Sequence, residues 1–171
     1  MATDTMDRTM NAPAKILLID DEPASMCAIQ HALAPLQHDI ITAACGEHAL
    51  KTVLREDFAL IILDMVIPGS MDGLQTMTYL KGLPRTQHVP IIMLTAAPRD
   101  VDCAYAAFKK GAADYMAKPI DPWELRAKAR LLISLYSENR RLRRELERSQ
   151  AQEAELRRAL GKAANGLPGM T

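Results

Sequence analysis

Leu60-Ile61-Ile62-Leu63-Asp64-Met65-Val66-Ile67-Pro68-Gly69 is the stretch around which the rest of the chain arranges itself. The apolar run is short and bounded by Pro-Gly, which fits a strand buried on both faces of a parallel sheet. It ends in one carboxylate, Asp64. In open α/β sheets, chemistry collects just beyond the carboxyl ends of the strands, so Asp64 stands where a functional side chain is expected. An aspartate after a strand also commonly starts a turn or caps a helix, so its role depends on what accompanies it.

Lys15–Ile19 forms a second buried-strand run, followed by Asp20-Asp21-Glu22 and by Pro23, which suits a first helical turn. That helix is expected to end at Leu33 or Ala34, before Pro35. A short strand covers Ile40–Ala43 and a helix Gly46–Glu56, with Ala49, Leu50, Val53 and Leu54 on one face. After the central strand Ala59–Leu63 come a helix over Gly73–Leu83, a strand over Pro90–Leu94 and a helix over Val101–Lys110 stopped by Gly111. Asp114–Ala117 is the last strand, and a long helix starts near Asp121-Pro122. Alternation of strands and helices predicts an α/β fold, a doubly wound five-stranded parallel sheet of flavodoxin-like order 2-1-3-4-5.

The polar residues fall at the strand ends: Asp20 and Asp21, Asp64, Thr95 and Lys118. In that strand order the first and third strands are neighbours at the topological switch point. Three carboxylates are then expected in one crevice, with a lysine and a hydroxyl beside them. Clustered like charges need a cation, and an oxygen donor set beside a phosphoryl group suits Mg²⁺. Asp64 would be a nucleophile forming an aspartyl phosphate. Lys118 and the metal would offset phosphoryl charge, and the Thr95 hydroxyl would donate to a phosphoryl oxygen.

Ile19-Asp20-Asp21-Glu22-Pro23, Leu63-Asp64 with Pro68-Gly69, Thr95-Ala96 and Lys118-Pro119 resemble the receiver domain of bacterial two-component response regulators, over roughly residues 14–135. The resemblance implies that Asp64 takes phosphate from a histidine kinase or a phosphotransfer protein. It also implies that Asp20, Asp21, Asp64 and the backbone carbonyl of Val66 hold the metal. Thr95 and Lys118 match the switch hydroxyl and the phosphate-binding lysine, and Tyr115 matches the aromatic switch position, although from the residues alone Tyr115 reads as an ordinary half-buried strand residue. Val66 and Ala97 match the positions that flank the water attacking the aspartyl phosphate. There are two departures. Ser70 is an extra residue in Pro68-Gly69-Ser70-Met71-Asp72-Gly73, lengthening the loop beside the site. Met26 stands where the family often has arginine.

Charge divides the chain. Residues 1–124 carry ten basic and sixteen acidic side chains, and Leu125–Leu160 carry ten basic and five acidic, which points to two parts. The expected division is a disordered leader over 1–13, the receiver-like domain over 14–124, a helical coiled-coil extension over 125–160 and a flexible tail over 161–171. Met1–Pro13 lacks the apolar core of a signal peptide, and no run approaches the roughly 18 apolar residues of a membrane span. Cys27, Cys45 and Cys103 are scattered and odd in number, so buried or half-buried free thiols in a cytoplasmic protein are expected.

From Leu125 the a and d positions of a heptad repeat are Leu125, Lys128, Leu132, Leu135, Asn139, Leu142, Leu146, Ser149, Glu153, Leu156 and Leu160. This predicts a coiled coil with no helix breaker before Gly161, loosened at Ser149 and Glu153. Asn139 at an a position favours a parallel homodimer, in which Glu138 would face Arg143 of the partner helix. Arg140, Arg141, Arg143, Arg144 and Arg148 form a basic run without interleaved aromatics. Its ordinary meaning on a long helix is a solvated face, which is preferred here over nucleic-acid contact.

The sequence thus predicts a phosphorylation-dependent switch that is not an enzyme on an external substrate and signals to an unnamed downstream protein through its dimeric helix. Two alternatives stand beside it. One is the regulatory fragment of a larger effector, such as a cyclic-dinucleotide enzyme or a transcription activator. The other is a phosphorylation-independent dimerisation scaffold, against which the complete Asp20, Asp21, Asp64, Thr95 and Lys118 set argues.

Overall fold

Four consecutive apolar side chains, Leu60 to Leu63, leave a strand no polar face, so the run Leu60–Asp64 must be covered on both sides. In the computed structural model, which describes residues 13–96 and 101–165, this run is β3 and is buried throughout. The other strands are β1 (Lys15–Ile19), β2 (Asp39–Ala43), β4 (Ile91–Thr95) and β5 (Asp114–Ala117). All pair in parallel, in the order β2-β1-β3-β4-β5, which is the predicted doubly wound α/β sheet. The register sets Ile19 against Leu63 and Asp64 against Leu94, so the ends of β1, β3 and β4 lie at one edge.

The alternation of strand side chains sends alternate residues to two cores. Leu17, Ile19, Ile61, Leu63, Ile91 and Met93 pack on one face with Ala49 and Val53 of α2 (Gly46–Val53), Met77 and Leu80 of α3 (Gly73–Gly82) and Ala107 of α4 (Val101–Lys109). Ile16, Leu18, Leu60, Ile62, Ile92 and Leu94 pack on the other with Ile29 and Leu33 of α1 (Pro23–Leu33) and Leu125, Ala129 and Ile133 of α5 (Pro122–Asn165).

Several boundaries differ from the sequence expectation. A 3₁₀ turn, Ala34–Leu36, follows α1 and ends at Gln37 with φ 57°. The helix expected over Gly46–Glu56 stops at Val53, and Arg85 Nη1 donates to the Leu54 carbonyl at 2.7 Å. At its start α5 is capped by Asp121 Oδ1, which accepts from Trp123 N–H at 2.7 Å and Glu124 N–H at 3.2 Å. The helix runs past Gly161, where a stop was expected, to Asn165. A single exposed glycine lowers helix propensity without breaking a helix.

The described chain divides into two units between Tyr136 and Ser137. The first includes the early turns of α5, because Leu125 and Ala129 are fully buried in its core. This changes the expected seam. Leu125 is used by the fold itself, Leu132 is half-buried against the same core, and Lys128 pairs with Asp114 at 2.8 Å and Glu124 at 3.0 Å. Leu135, Leu142, Leu146, Leu156 and Leu160 are exposed. In the second unit, Glu138 is held within its own helix by Arg141, at 2.6 and 3.0 Å, rather than left open for Arg143. Cys27, expected to be at least half-buried, is exposed on α1 with Sγ 3.9 Å from His31 Nδ1, and Cys45 is half-buried; both are free thiols. The Cys103 side chain, the leader over 1–12 and the tail from 166 lie outside the described residues. No described helix is long and apolar enough to cross a membrane.

Candidate functional site

Parallel pairing brings the chain-distant groups to one edge of the sheet. Asp64 closes β3, Thr95 closes β4, Asp20 follows β1 and Lys118 follows β5. Asp20, Asp64 and Thr95 are all buried. A buried carboxylate requires partners, and these two share one: Lys118 Nζ donates to Asp20 Oδ2 at 2.9 Å and also to Asp64 Oδ2. Burial opposes the charge on this ammonium, but its hydrogen bonds to Asp64 and Asp20 prevail and raise its pKa above the usual lysine value.

The remaining oxygens are also engaged. Asp20 Oδ1 accepts from Glu22 N–H at 2.8 Å, and Asp20 Oδ2 accepts from Ser25 Oγ at 2.6 Å. Asp64 Oδ1 accepts from Val66 N–H at 3.1 Å. The loop carrying Lys118 is tied to β4 by Lys118 N–H donating to the Thr95 carbonyl at 2.6 Å, and the Lys118-Pro119 peptide is cis. Ser25 was not singled out in the sequence. The only signal was its place in the first turn of the helix that follows Asp20.

The expected ligands differ in exposure. Asp21 is exposed beside the buried Asp20, and Val66 is 73% exposed on the loop after β3. Among the described residues no group of three or more His, Cys, Asp or Glu side chains is arranged to hold a metal; the two carboxylates that share a partner are Asp20 and Asp64. The two fit Mg²⁺ nonetheless. That ion keeps several waters and is commonly held by one or two carboxylates, and the Asp20 and Asp64 oxygens already converge on one cationic group. Tyr115 lies on β5 with its ring against the core. Its hydroxyl is out of water and has no hydrogen-bond partner. Ala97 lies outside the described residues.

The loop over residues 65–72 closes one side of the site. Met65 N–H donates to the Leu94 carbonyl at 2.9 Å and Gly73 N–H to the Met65 carbonyl at 3.0 Å. Asp72 and Gln75 form a reciprocal cap on α3, at 2.7 and 3.0 Å. Gly73 is packed so closely that a Cβ there would lie 2.3 Å from the Asp64 carbonyl oxygen. Within the loop, the additional Ser70 donates both its N–H (2.8 Å) and its hydroxyl to Glu47 Oε1 at the start of α2. The Ser70 hydroxyl, followed by the backbone amides of Glu47 and Ser70, holds the Glu47 carboxyl down at about 2. Glu47 carried no signal in the sequence.

Comparison with known proteins agrees with this geometry. Residues 16–130 match the family model of the response regulator receiver domain. The chain is 36% identical over 119 residues to the alkaline phosphatase synthesis transcriptional regulatory protein PhoP of Bacillus subtilis, a match covering 70% of this chain and 48% of that one. It is 34% identical over 119 residues to the response regulator PleD of Caulobacter vibrioides, covering 70% of this chain and 26% of that one. The chain therefore spans half or less of the length of these relatives. Among solved structures, it resembles the receiver domain of a sensor histidine kinase from Pseudomonas aeruginosa PAO1 that has a magnesium ion coordinated in its active site cleft. That likeness has a TM-score of 0.65 at 29% identity and covers 71% of this chain and 98% of the other. The chain belongs to the response regulator receiver domain family of two-component signalling.

Proposed function

We propose that Asp64 accepts a phosphoryl group from the phosphohistidine of a histidine kinase or phosphotransfer protein. An Asp64 oxygen bonds to phosphorus as the donor's phosphorus–nitrogen bond breaks. Bound Mg²⁺ would supply charge neutralisation at the phosphoryl oxygens, held by Asp20, Asp64 and the Val66 carbonyl, with Asp21 at the rim. Lys118 swings from its carboxylates toward the incoming phosphoryl oxygens, and the Thr95 hydroxyl donates to one of them. The observation that carries this reading is the single Lys118 ammonium bridging Asp20 and Asp64 at the carboxyl end of the sheet.

Output passes through α5. The exposed leucines Leu135, Leu142, Leu146, Leu156 and Leu160 form the apolar stripe of a parallel homodimer, with Asn139 fixing register. The test of the site is acetyl phosphate with intact-mass detection. One phosphoryl group is expected on the wild type with Mg²⁺, none on Asp64→Ala and little on Asp21→Ala. Equal labelling with and without the metal would defeat the proposal. A second reading is favoured by length. Because the chain spans 48% of PhoP and 26% of PleD, it would serve as the regulatory part of a longer effector, a transcription activator or a cyclic-dinucleotide enzyme. A reading frame continuing past Thr171 into an output domain would decide for it.

A further inference from the structure

The loop beside Asp64 is one residue longer than the motif it otherwise matches, and the extra residue is the one that is tied down. The start of the loop is held by the Met65 and Val66 amides, and Ile67 is buried in the core. Its far end is held by the Asp72–Gln75 cap. Between these anchors the slack is taken up at Gly69, whose φ of 115° suits glycine and whose added Cβ would lie 2.7 Å from Glu47 Oε2. Ser70 then makes two hydrogen bonds to a single carboxylate oxygen, Glu47 Oε1, across 23 residues of sequence. The post itself is fixed. Glu47 follows Gly46, where an added Cβ would be 2.3 Å from Thr76 Oγ1 of α3, so α2 and α3 are in close contact at this point.

We propose that Glu47 is a positioning residue. Through Ser70 it holds the lengthened β3–α3 loop in the conformation that presents the Val66 carbonyl to the divalent cation. The inference rests on the receiver reading above and deepens it. A hydrogen bond to a charged acceptor is stronger than one to a neutral acceptor. Ordering each loop residue costs conformational entropy. Without the tether, the metal would have to order the loop as it bound, and its apparent affinity would fall by the fraction of molecules holding the competent loop.

The test is an isothermal titration of the full chain with Mg²⁺, with thermal melts in EDTA to confirm folding. Glu47→Ala and Ser70→Ala are each expected to raise the Mg²⁺ dissociation constant roughly three- to tenfold. The double variant should be no worse than either single one, since both remove one interaction. Ser70→Thr, which keeps the hydroxyl, should bind as the wild type does. Deleting Ser70 in the Glu47→Ala background should recover affinity, because the shorter loop has no slack to hold. A purely structural role would lower the melting temperature and leave the dissociation constant of the folded protein unmoved. That result, or additive effects in the double variant, would overturn the inference. Asp64 labelling of the wild type is read in the same samples. Wild type that binds Mg²⁺ but is not labelled would count against phosphorylation alone, and wild type that binds no Mg²⁺ would overturn both.

Discussion

Lys118 and Asp64, 54 residues apart in the chain, meet as an ion pair at the carboxyl edge of the sheet, and the same ammonium reaches Asp20 at 2.9 Å. The Asp20 side chain is fully buried and that of Asp64 is 9% exposed, so one lysine holds two carboxylates that would otherwise repel each other. Removing it leaves uncompensated buried charge. Lys118→Ala is expected to cost about 3 kcal/mol of stability in metal-free buffer, with partial recovery in Mg²⁺. Urea unfolding with EDTA and with Mg²⁺ measures this. Equal stability of variant and wild type in EDTA would refute it.

Phosphoryl lifetime depends on a positioned water. Val66, two residues beyond Asp64, is 73% exposed, and its side chain has no group that can hydrogen-bond that water. Slow self-dephosphorylation is expected, and Val66→Asn should speed it. An unchanged phosphoryl half-life in the variant would remove this account.

Close packing makes Gly73 sensitive. A Cβ there would meet the Asp64 carbonyl oxygen at 2.3 Å and the Met65 Cα at 2.8 Å, both backbone atoms. Gly73→Ala should therefore destabilise by roughly 2–3 kcal/mol and reduce Asp64 labelling by displacing the end of β3. Chemical denaturation paired with acetyl phosphate labelling gives both values, and a variant with wild-type stability would contradict the packing.

Two groups set expected pH limits. Burial lowers the His38 pKa, with Asp39 partly opposing, and its Nδ1 accepts the Ala14 amide at 3.2 Å, which requires the neutral ring at that nitrogen. A depressed folded pKa gives stability that is present above the ordinary histidine value near 6.5 and lost as pH falls toward the lower folded value. His38→Asn, whose amide oxygen can still accept, should flatten melting temperature between about pH 7.5 and 5. Lys118 has the opposite sign. Its raised pKa gives stability present below 10.5 and lost only as pH climbs through the folded value. A wild-type melting temperature that does not change on acidification would count against the His38 assignment.

Coupling between site and output is expected to run along α5, which continues from Pro122 to Asn165 without interruption. A small rotation at its base can change how two such helices pack, provided two packings lie close in energy. In the proposed dimer, polar Asn139, Ser149 and Glu153 in the leucine stripe would keep the pairing from being too strong. Asn139→Leu should strengthen the dimer and weaken its response to phosphorylation. Cysteine cross-linking along the helix, with and without a phosphoryl group on Asp64, reads this, and identical patterns in both states would leave a passive dimer.

The strands and most of the polar groups at their ends were legible along the chain. These are local properties: apolar runs that can only be buried strands, each followed by its polar residue. Which groups touch depends on how the strands pair. Lys118 bridges Asp20 and Asp64 while Asp21 remains exposed, because sheet register and side-chain direction, not chain proximity, set those distances. The Ser25 hydroxyl on Asp20 and the Glu47 tether on Ser70 were illegible for the same reason. The start of α5 makes the point most clearly. Its leucines fit a heptad from Leu125 onward, yet Leu125 is wholly buried in the domain's own core and Leu135 is 57% exposed. Apolar periodicity marks a face to be covered, and only the folded chain shows which part of that face it has already covered itself.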